Sequence, residues 1–426
     1  MRYRLSTLRF ITLTAILGVL LAACGTAGGG TTGGSTPGAG SAASTDTIVF
    51  GAAISLTGKT AKEGEYTRDG YQIYVDTINE QGGITVAGKA YKVKLVYYDD
   101  ESKSERTAQL YEKLINEDKV NFLLGPYGSG PTGTATPIAE KYQIPMVEAN
   151  GSAESIFSKG YKYTFAVLSP AKNYLRGVLD AILSKDPNVK TVAILGENEP
   201  FSKEVAGGAA DYAKEKGLEI VYQELYPSGT QDVSALLTNI KGKNPDVLLG
   251  AGHLQDTLLI VKQAKDLGIS PKAMGFSVGP SSPEFRASLK ENADYIFGST
   301  QWTDALKYNG DDLWKTPKAF TEAFKAKHPD YTSIPYQVAE STAALVAYQK
   351  ALEKAGNLDP QKVRDTLAGL DFMSFYGQIK FDERGVNIYK PMAVEQLQTD
   401  GKKYTVWPSD VAEKEILYPM PAWDNR

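Results

Sequence analysis

Ile48-Val49-Phe50-Gly51-Ala52-Ala53-Ile54 is an apolar run of strand length, and beyond it Tyr71, Tyr74, Val75 and Ile78 fall at i, i+3, i+4 and i+7 before Gly82-Gly83. The order is strand, loop, amphipathic helix, stop. The phrase recurs. Residues 93–98 precede a helix carrying Leu110, Tyr111, Leu114 and Ile115; Phe122-Leu123-Leu124 leads into a glycine-rich turn; Pro145-Met146-Val147 leads into another loop. Parallel strands need a crossover, usually a helix, so this alternation predicts right-handed βαβ units and a parallel sheet covered by helices.

A break at Leu168-Ser169-Pro170 opens a second series with the same rhythm. Its helices carry Leu175, Val178, Leu179 and Ile182, then Val233, Leu236, Leu237 and Ile240, then Ile260, Ala264 and Leu267. Its strands are residues 191–195, 219–222, 246–249 and 273–276. Two doubly wound α/β lobes are expected. Beyond Gln301 come two or three long helices, notably 336–354, and then a β-rich tail in which Asp400-Gly401 is a hairpin turn. Helices returning to one lobe and strands to the other make each lobe discontinuous in sequence.

The chain has 426 residues, 42% hydrophobic and 23% charged, enough for two or three cores and unlike a collagen, a disordered tail or a multi-span membrane protein. The formal charge is −4, and it becomes more negative once Arg2, Arg4 and Arg9 are set aside with the leader. Nucleic acid is excluded as a partner because phosphate neutralisation needs a basic surface. One cysteine and two histidines rule out an internal disulfide and leave no material for Cys/His metal clusters; no cofactor and no metal are expected.

The leader is an address. Residues 1–9 are basic, 10–21 apolar, and Ala22-Ala23 supplies small residues before Cys24, the layout of a secretory signal with its cleavage site. Leu21-Ala22-Ala23-Cys24 resembles a bacterial lipobox, which implies lipidation of Cys24 and anchoring outside the cytoplasmic membrane. Residues 25–45 are almost wholly Gly, Ser, Thr and Ala, the composition of a flexible tether.

In open α/β sheets ligands bind outside the carboxyl ends of the strands. That rule selects loops 55–64, 126–133, 148–152, 196–202, 250–256 and 277–283, which are rich in Gly, Ser and Asn and can approach a small anion such as a carboxylate. Three catalytic patterns also fall there. Residues 53–60 (AISLTGKT) nearly match a phosphate-binding loop, but Ala53 replaces the first glycine and no helix obviously begins directly after Thr60. Residues 128–133 (GSGPTG), with Glu148 ending the next strand, satisfy a dinucleotide fingerprint on paper. Residues 275–279 (GFSVG) match a nucleophile elbow at Ser277, whose only downstream histidine, His328, ends an amphipathic stretch and reads as a helix C-cap. An exported address argues against nucleotide chemistry. His253, after Gly250-Ala251-Gly252, points toward the crevice, and Glu63, Tyr127, Phe201 and Glu284 occupy similar positions.

Residues 47–426 resemble the branched-chain and general amino-acid binding proteins of ABC transporters, the type I periplasmic binding protein fold. The marks are Ser55-Leu56-Thr57-Gly58, residues 79–83 (NEQGG), Asp99-Asp100, residues 125–129, Gly252-His253, Gln263-Ala264-Lys265 with Leu267-Gly268, and Phe381-Asp382 with Gly385, in that order. The resemblance implies two lobes joined by three crossovers and closing on an amino acid. It implies lobe 1 at 47–167 with 300–385 and lobe 2 at 168–299 with 386–426. It further implies Ser129 as carboxylate ligand, Asn150, Gly151 and Ser152 as the loop holding ammonium and carboxylate, and Phe201 and His253 as second-lobe contacts. The family's acidic partner for the ammonium aligns near Ser277, so Glu63 or Glu284 is the substitute, unless the ligand is an amide, urea or organic acid. The implied protein is a monomeric lipoprotein, no enzyme, that delivers a solute to ABC permease subunits. The alternatives are an exported α/β hydrolase using Ser277 and a ligand-binding sensory domain.

Overall fold

The structure, a computed structural model, describes residues 46–426; the leader, Cys24 and the tether lie outside the described residues. Strand β1 (Thr47–Ile54) feeds α1 (Ala61–Glu80), which stops at Gly82 and Gly83, both at positive φ (+107° and +103°) that favours glycine. Then follow β2 (Ile84–Val86), β3 (Lys89–Asp99), α2 (Ser104–Asn116), β4 (Phe122–Leu124), α3 (Ser129–Tyr142), β5 (Met146–Glu148) and β6 (Thr164–Ala166). They form a six-stranded sheet ordered β2-β3-β1-β4-β5-β6, parallel except for β2.

The second series is α4 (Arg176–Lys185), β7 (Thr191–Glu197), α5 (Pro200–Glu215), β8 (Glu219–Tyr226), α6 (Ser234–Lys243), β9 (Val247–Ala251), α7 (Leu254–Asp266), β10 (Ala273–Phe276), α8 (Pro283–Leu289) and β11 (Phe297–Thr300). The chain then makes α9 (Pro317–Lys327), α10 (Tyr336–Ala355), α11 (Pro360–Ala368) and the hairpin β12 (Asp371–Ser374) and β13 (Gly377–Lys380). It ends with β14 (Ala393–Leu397) and β15 (Lys403–Trp407), antiparallel strands that complete a seven-stranded sheet ordered β15-β14-β11-β10-β9-β7-β8. The expected return of helices to one sheet and strands to the other is observed.

Helix α10 is buried over most of its surface because it is sandwiched: it packs on α1, and its Tyr348 hydroxyl donates to the Leu123 and Pro145 carbonyls beside the first sheet (2.8 and 2.6 Å). One expectation fails: α1 does begin at Ala61, directly after Thr60. Its first turn lies so close to β1 that a Cβ on Gly64 would stand 1.7 Å from the Ser55 carbonyl oxygen. Among the described residues no helix is long and apolar enough to cross a membrane.

The three passages between the sheets are sewn together. The Gln301 side chain accepts from the Ser169 N–H and donates to the Ser169 carbonyl, both at 3.1 Å. The Ser169 hydroxyl donates to the Lys390 carbonyl (2.6 Å), and the Lys390 ammonium donates to the Gln301 carbonyl and lies 4.2 Å from the Tyr376 ring centre. Burial pushes the Lys390 amine down to about 7. Gln301 is fully buried, so Gln301→Leu strands a backbone donor and acceptor. We expect it to lower stability by about 2–4 kcal/mol in urea unfolding.

Candidate functional site

The carboxyl edges of the two sheets face one another, and the loops beyond them touch. Lys59, after β1, donates to Glu197 at the end of β7 and stands 2.9 Å from Asp256 in α7. Both carboxylates are almost wholly buried, and although burial works against the ammonium, Asp256 and Glu197 together hold its pKa above the ordinary lysine value. Glu63 Oε1 accepts the N–H of Leu254, the first residue of α7 (3.0 Å), and Tyr66 donates to Glu284. Glu204 in α5 accepts the N–H groups of Glu154 (2.6 Å) and Ser155 (3.0 Å). The lobes are in contact.

An aromatic wall crosses this seam. The Tyr127 hydroxyl meets His253 Nδ1 at 3.0 Å, and His253 Nε2 lies 3.8 Å from Glu199. A tyrosine donating to Nδ1 leaves the imidazole proton on Nε2, facing the carboxylate. Phe201 packs on His253 (5.2 Å between ring centres) and edge-on against Tyr174 (5.0 Å, 80°). A cavity of about 190 Å³ opens beside the wall, lined among others by Lys59, Tyr127, Ser129, Glu197, Glu199 and His253.

The floor is built from helix α3 and the loop after β5. Gly128 takes φ +88° so that Ser129 becomes the first residue of α3, whose opening N–H groups and dipole favour an anion. Ser129 Oγ accepts the Ala153 N–H (3.1 Å), which leaves its hydroxyl proton to donate. Gly151 packs so tightly that a Cβ there would lie 2.5 Å from Thr132 Oγ1. The loop is shaped by Glu148, fully buried, whose Oε2 accepts the N–H groups of Asn150 (2.9 Å) and Gly151 (2.6 Å). Asn150 Nδ2 donates to Ser341 Oγ (3.0 Å), while Asn150 Oδ1 and Ser152 Oγ are buried without a hydrogen bond. Two lobes, a seam of charged contacts and a helix N-terminus beside unpaired polar atoms make a cleft fitted to a small polar molecule.

A family profile described as "Periplasmic binding protein" matches residues 47–402. The chain belongs to the periplasmic binding protein family. Leu/Ile/Val-binding protein homolog 8 of Brucella abortus is 27% identical over 390 residues, covering 87% of this chain and 93% of that protein. The leucine-, isoleucine-, valine-, threonine- and alanine-binding protein of Pseudomonas aeruginosa is 27% identical over 342 residues, covering 80% and 87%. The branched-chain amino acid transporter substrate-binding protein LivJ of Streptococcus pneumoniae, solved in complex with isoleucine, superposes with a TM-score of 0.72 at 25% identity, covering 88% of this chain and 100% of that one. The type I fold and a solute-binding role in an ABC transporter follow, and the hydrolase and sensory alternatives gain no support. Such a binding protein works outside the cytoplasm.

Within this periplasmic binding protein the structure gathers Glu63, Tyr127, Ser129, Asn150, Gly151, Ser152, Phe201 and His253 around the seam. Ser277 is placed otherwise: its buried hydroxyl donates to the Gly252 carbonyl (2.9 Å) and accepts the Gly252 N–H (3.0 Å), bracing the turn that carries His253. It contacts the site through that turn. His328 stacks on Phe324 beyond α9, a helix-end role. The phosphate-loop likeness dissolves as well, for Asp99 occupies the N–H groups of Leu56 (2.9 Å) and Thr57 (3.2 Å) and Lys59 reaches across to the other lobe. Burial raises the Glu63 carboxyl, which sits in the seam, whereas Glu284 is one-third exposed and bound to Tyr66. Of the two, only Glu63 is buried in the seam.

Glu197, Glu199 and His253 bring donor atoms within 4.8 Å of one another, a spacing that could hold a metal. Lys59 already supplies the balancing charge to Glu197, and Glu199 caps α5 by accepting the N–H groups of Phe201 and Ser202. Sequence reasoning missed Tyr174, which packs on Phe201, the buried Tyr336 and Gln337 that stand beside Tyr174 and Tyr127, and the bridging role of Lys59. The Pro335-Tyr336-Gln337 start of a long helix was the available signal for the middle pair, but nothing local says which neighbour that helix end faces.

Burial lifts the Glu148 carboxyl to about 8, against the pull of the Gly151 and Asn150 N–H groups. A carboxyl raised in the folded state contributes its stability fully below its unfolded pKa, and that contribution is lost as pH rises through the folded value. Glu148→Gln mimics the neutral acid. The stability of the natural protein relative to this variant therefore falls by about 4 kcal/mol between pH 4.5 and 8, to be read from paired urea melts.

Proposed function

We propose that this protein is the lipid-anchored receptor of an ABC importer and that its solute is an amino acid held between the lobes. The observation carrying this reading is the anion-ready start of α3, with Ser129 and the unpaired Ser152 hydroxyl beside it, set against the buried carboxylate of Glu63. One end of the cleft suits a carboxylate, the other an ammonium. Ser129 and Ser152 donate to the ligand carboxylate. The Asn150 and Ser152 carbonyls already accept from Gly128 and Ala171, so the Gly151 carbonyl is the main-chain acceptor for the ammonium, with Glu63 as its charge partner. An arriving ammonium keeps Glu63 ionised, offsetting the burial that otherwise favours its neutral form.

Closure over the ligand is driven by the difference in its affinity for the open and closed forms, and the closed shape is what permease subunits recognise. Acylated Cys24 and the tether of residues 25–45 keep the monomer at the membrane surface, with lobe limits at 47–167 plus 300–385 and 168–299 plus 386–426. The names of the Pseudomonas and Streptococcus relatives support an amino-acid ligand.

A thermal-shift screen of the amino acids tests the reading: a cognate ligand at a hundredfold excess over its Kd stabilises the protein by about 2.7 kcal/mol. Ser129→Ala and Ser152→Ala each weaken binding by about 1–3 kcal/mol in calorimetric titration, because a buried ligand carboxylate loses a donor. Unchanged affinity in both would overturn the assigned site. Cys24→Ser is expected to move the protein from the membrane fraction to the soluble extracytoplasmic fraction on cell fractionation.

A further inference from the structure

The first turn of α10 carries two consecutive buried polar side chains, Tyr336 and Gln337, beside Tyr174 and Tyr127 of the aromatic wall. The Gln337 carboxamide lies beside the Tyr127 hydroxyl, and the Tyr336 and Ser152 hydroxyls lie beside that of Tyr174. Gln337 is fully buried, yet neither its Nε2 nor its Oε1 makes a hydrogen bond. Tyr127 bonds to His253 Nδ1 and makes no hydrogen bond of ordinary geometry to the carboxamide. Asn150 Oδ1 and Ser152 Oγ are unpaired in the same region. An amide without either partner is costly to bury, and a fold keeps such a group where something else completes it.

We propose that Gln337 determines which solute this protein prefers, by pairing one donor and one acceptor with a carboxamide on the ligand's side chain. The inference rests on the amino-acid reading above and narrows it. A primary carboxamide offers N–H and C=O side by side and satisfies both Gln337 atoms. A carboxylate satisfies only Nε2, an ammonium only Oε1, and a branched aliphatic side chain neither. Sites built around buried hydrogen-bonding groups reject analogues that lack the matching atoms far more strongly than apolar pockets reject an extra methyl group. The preferred ligand therefore differs from the isoleucine found in the Streptococcus protein.

The test is calorimetric titration of the full folded domain with L-glutamine, L-asparagine, L-glutamate and L-leucine, repeated on Gln337→Leu and Gln337→Glu. At least one amide-bearing amino acid should bind tenfold or more tighter than both leucine and glutamate. Gln337→Leu should lose that margin while leucine binds equally well or better. Gln337→Glu, which keeps the volume and removes the donor, should weaken the amide by tenfold or more and preserves the test if the leucine variant does not fold. Tightest binding of leucine, or an equal change for leucine and the amides on substitution, overturns the inference and leaves the amino-acid reading intact. Binding of none of the four while another amino acid stabilises the protein overturns the inference alone, and stabilisation by no amino acid in the thermal-shift screen removes both.

Discussion

A parallel strand ends where its last carbonyls and the first N–H groups of the following helix converge, so a doubly wound sheet gathers unpaired backbone polarity along one edge. In this protein two such edges face each other, and the residues at the seam are the means by which that polarity is satisfied. Lys59 spans to Glu197 and Asp256, Glu63 takes the first N–H of α7, and Glu204 takes two N–H groups from the opposite lobe. The Glu63 and Glu204 contacts occupy backbone N–H groups that would otherwise need water, and the Lys59 contacts neutralise two buried carboxylates. The pairing stops at Ser152, Asn150 and Gln337, whose buried polar atoms have no hydrogen bond.

The same crossing of the chain that opposes the edges also makes the hinge. Ser169, Gln301 and Lys390 come from separate passages between the lobes and bind one another through backbone groups, so the three passages are tied together. The seam is held by side chains, several of them charged, and the hinge by buried reciprocal bonds.

Short motifs were poor guides to this arrangement. The AISLTGKT stretch even has its helix in the right place, since α1 begins at Ala61, and still has no phosphate cradle because Asp99 fills it. The GFSVG stretch ends a strand as a nucleophile elbow does, but its serine hydroxyl is spent on Gly252. In both cases the pattern of residue types was present and the groups that would do the chemistry had other partners. Periodicity fared better. Residues 273–276 and 122–124 are strands at the limits the apolar runs suggest, and Asp400-Gly401 turns between β14 and β15.

The sequence by itself determined the two-lobed α/β architecture and the loops that end its strands, because strand and helix periods, glycine stops and the rule of carboxyl-edge binding are all local or nearly so. It also singled out the loops that carry Ser129, Ser152 and His253. Only the tertiary structure decided that Glu63 rather than Glu284 lies buried in the seam, that Ser277 serves a turn, and that Gln337 is buried without a hydrogen bond. The hydrogen-bonding of a buried side chain depends on neighbours brought from elsewhere in the chain: Glu63 meets the Leu254 N–H across 191 residues, and no local pattern carries that information.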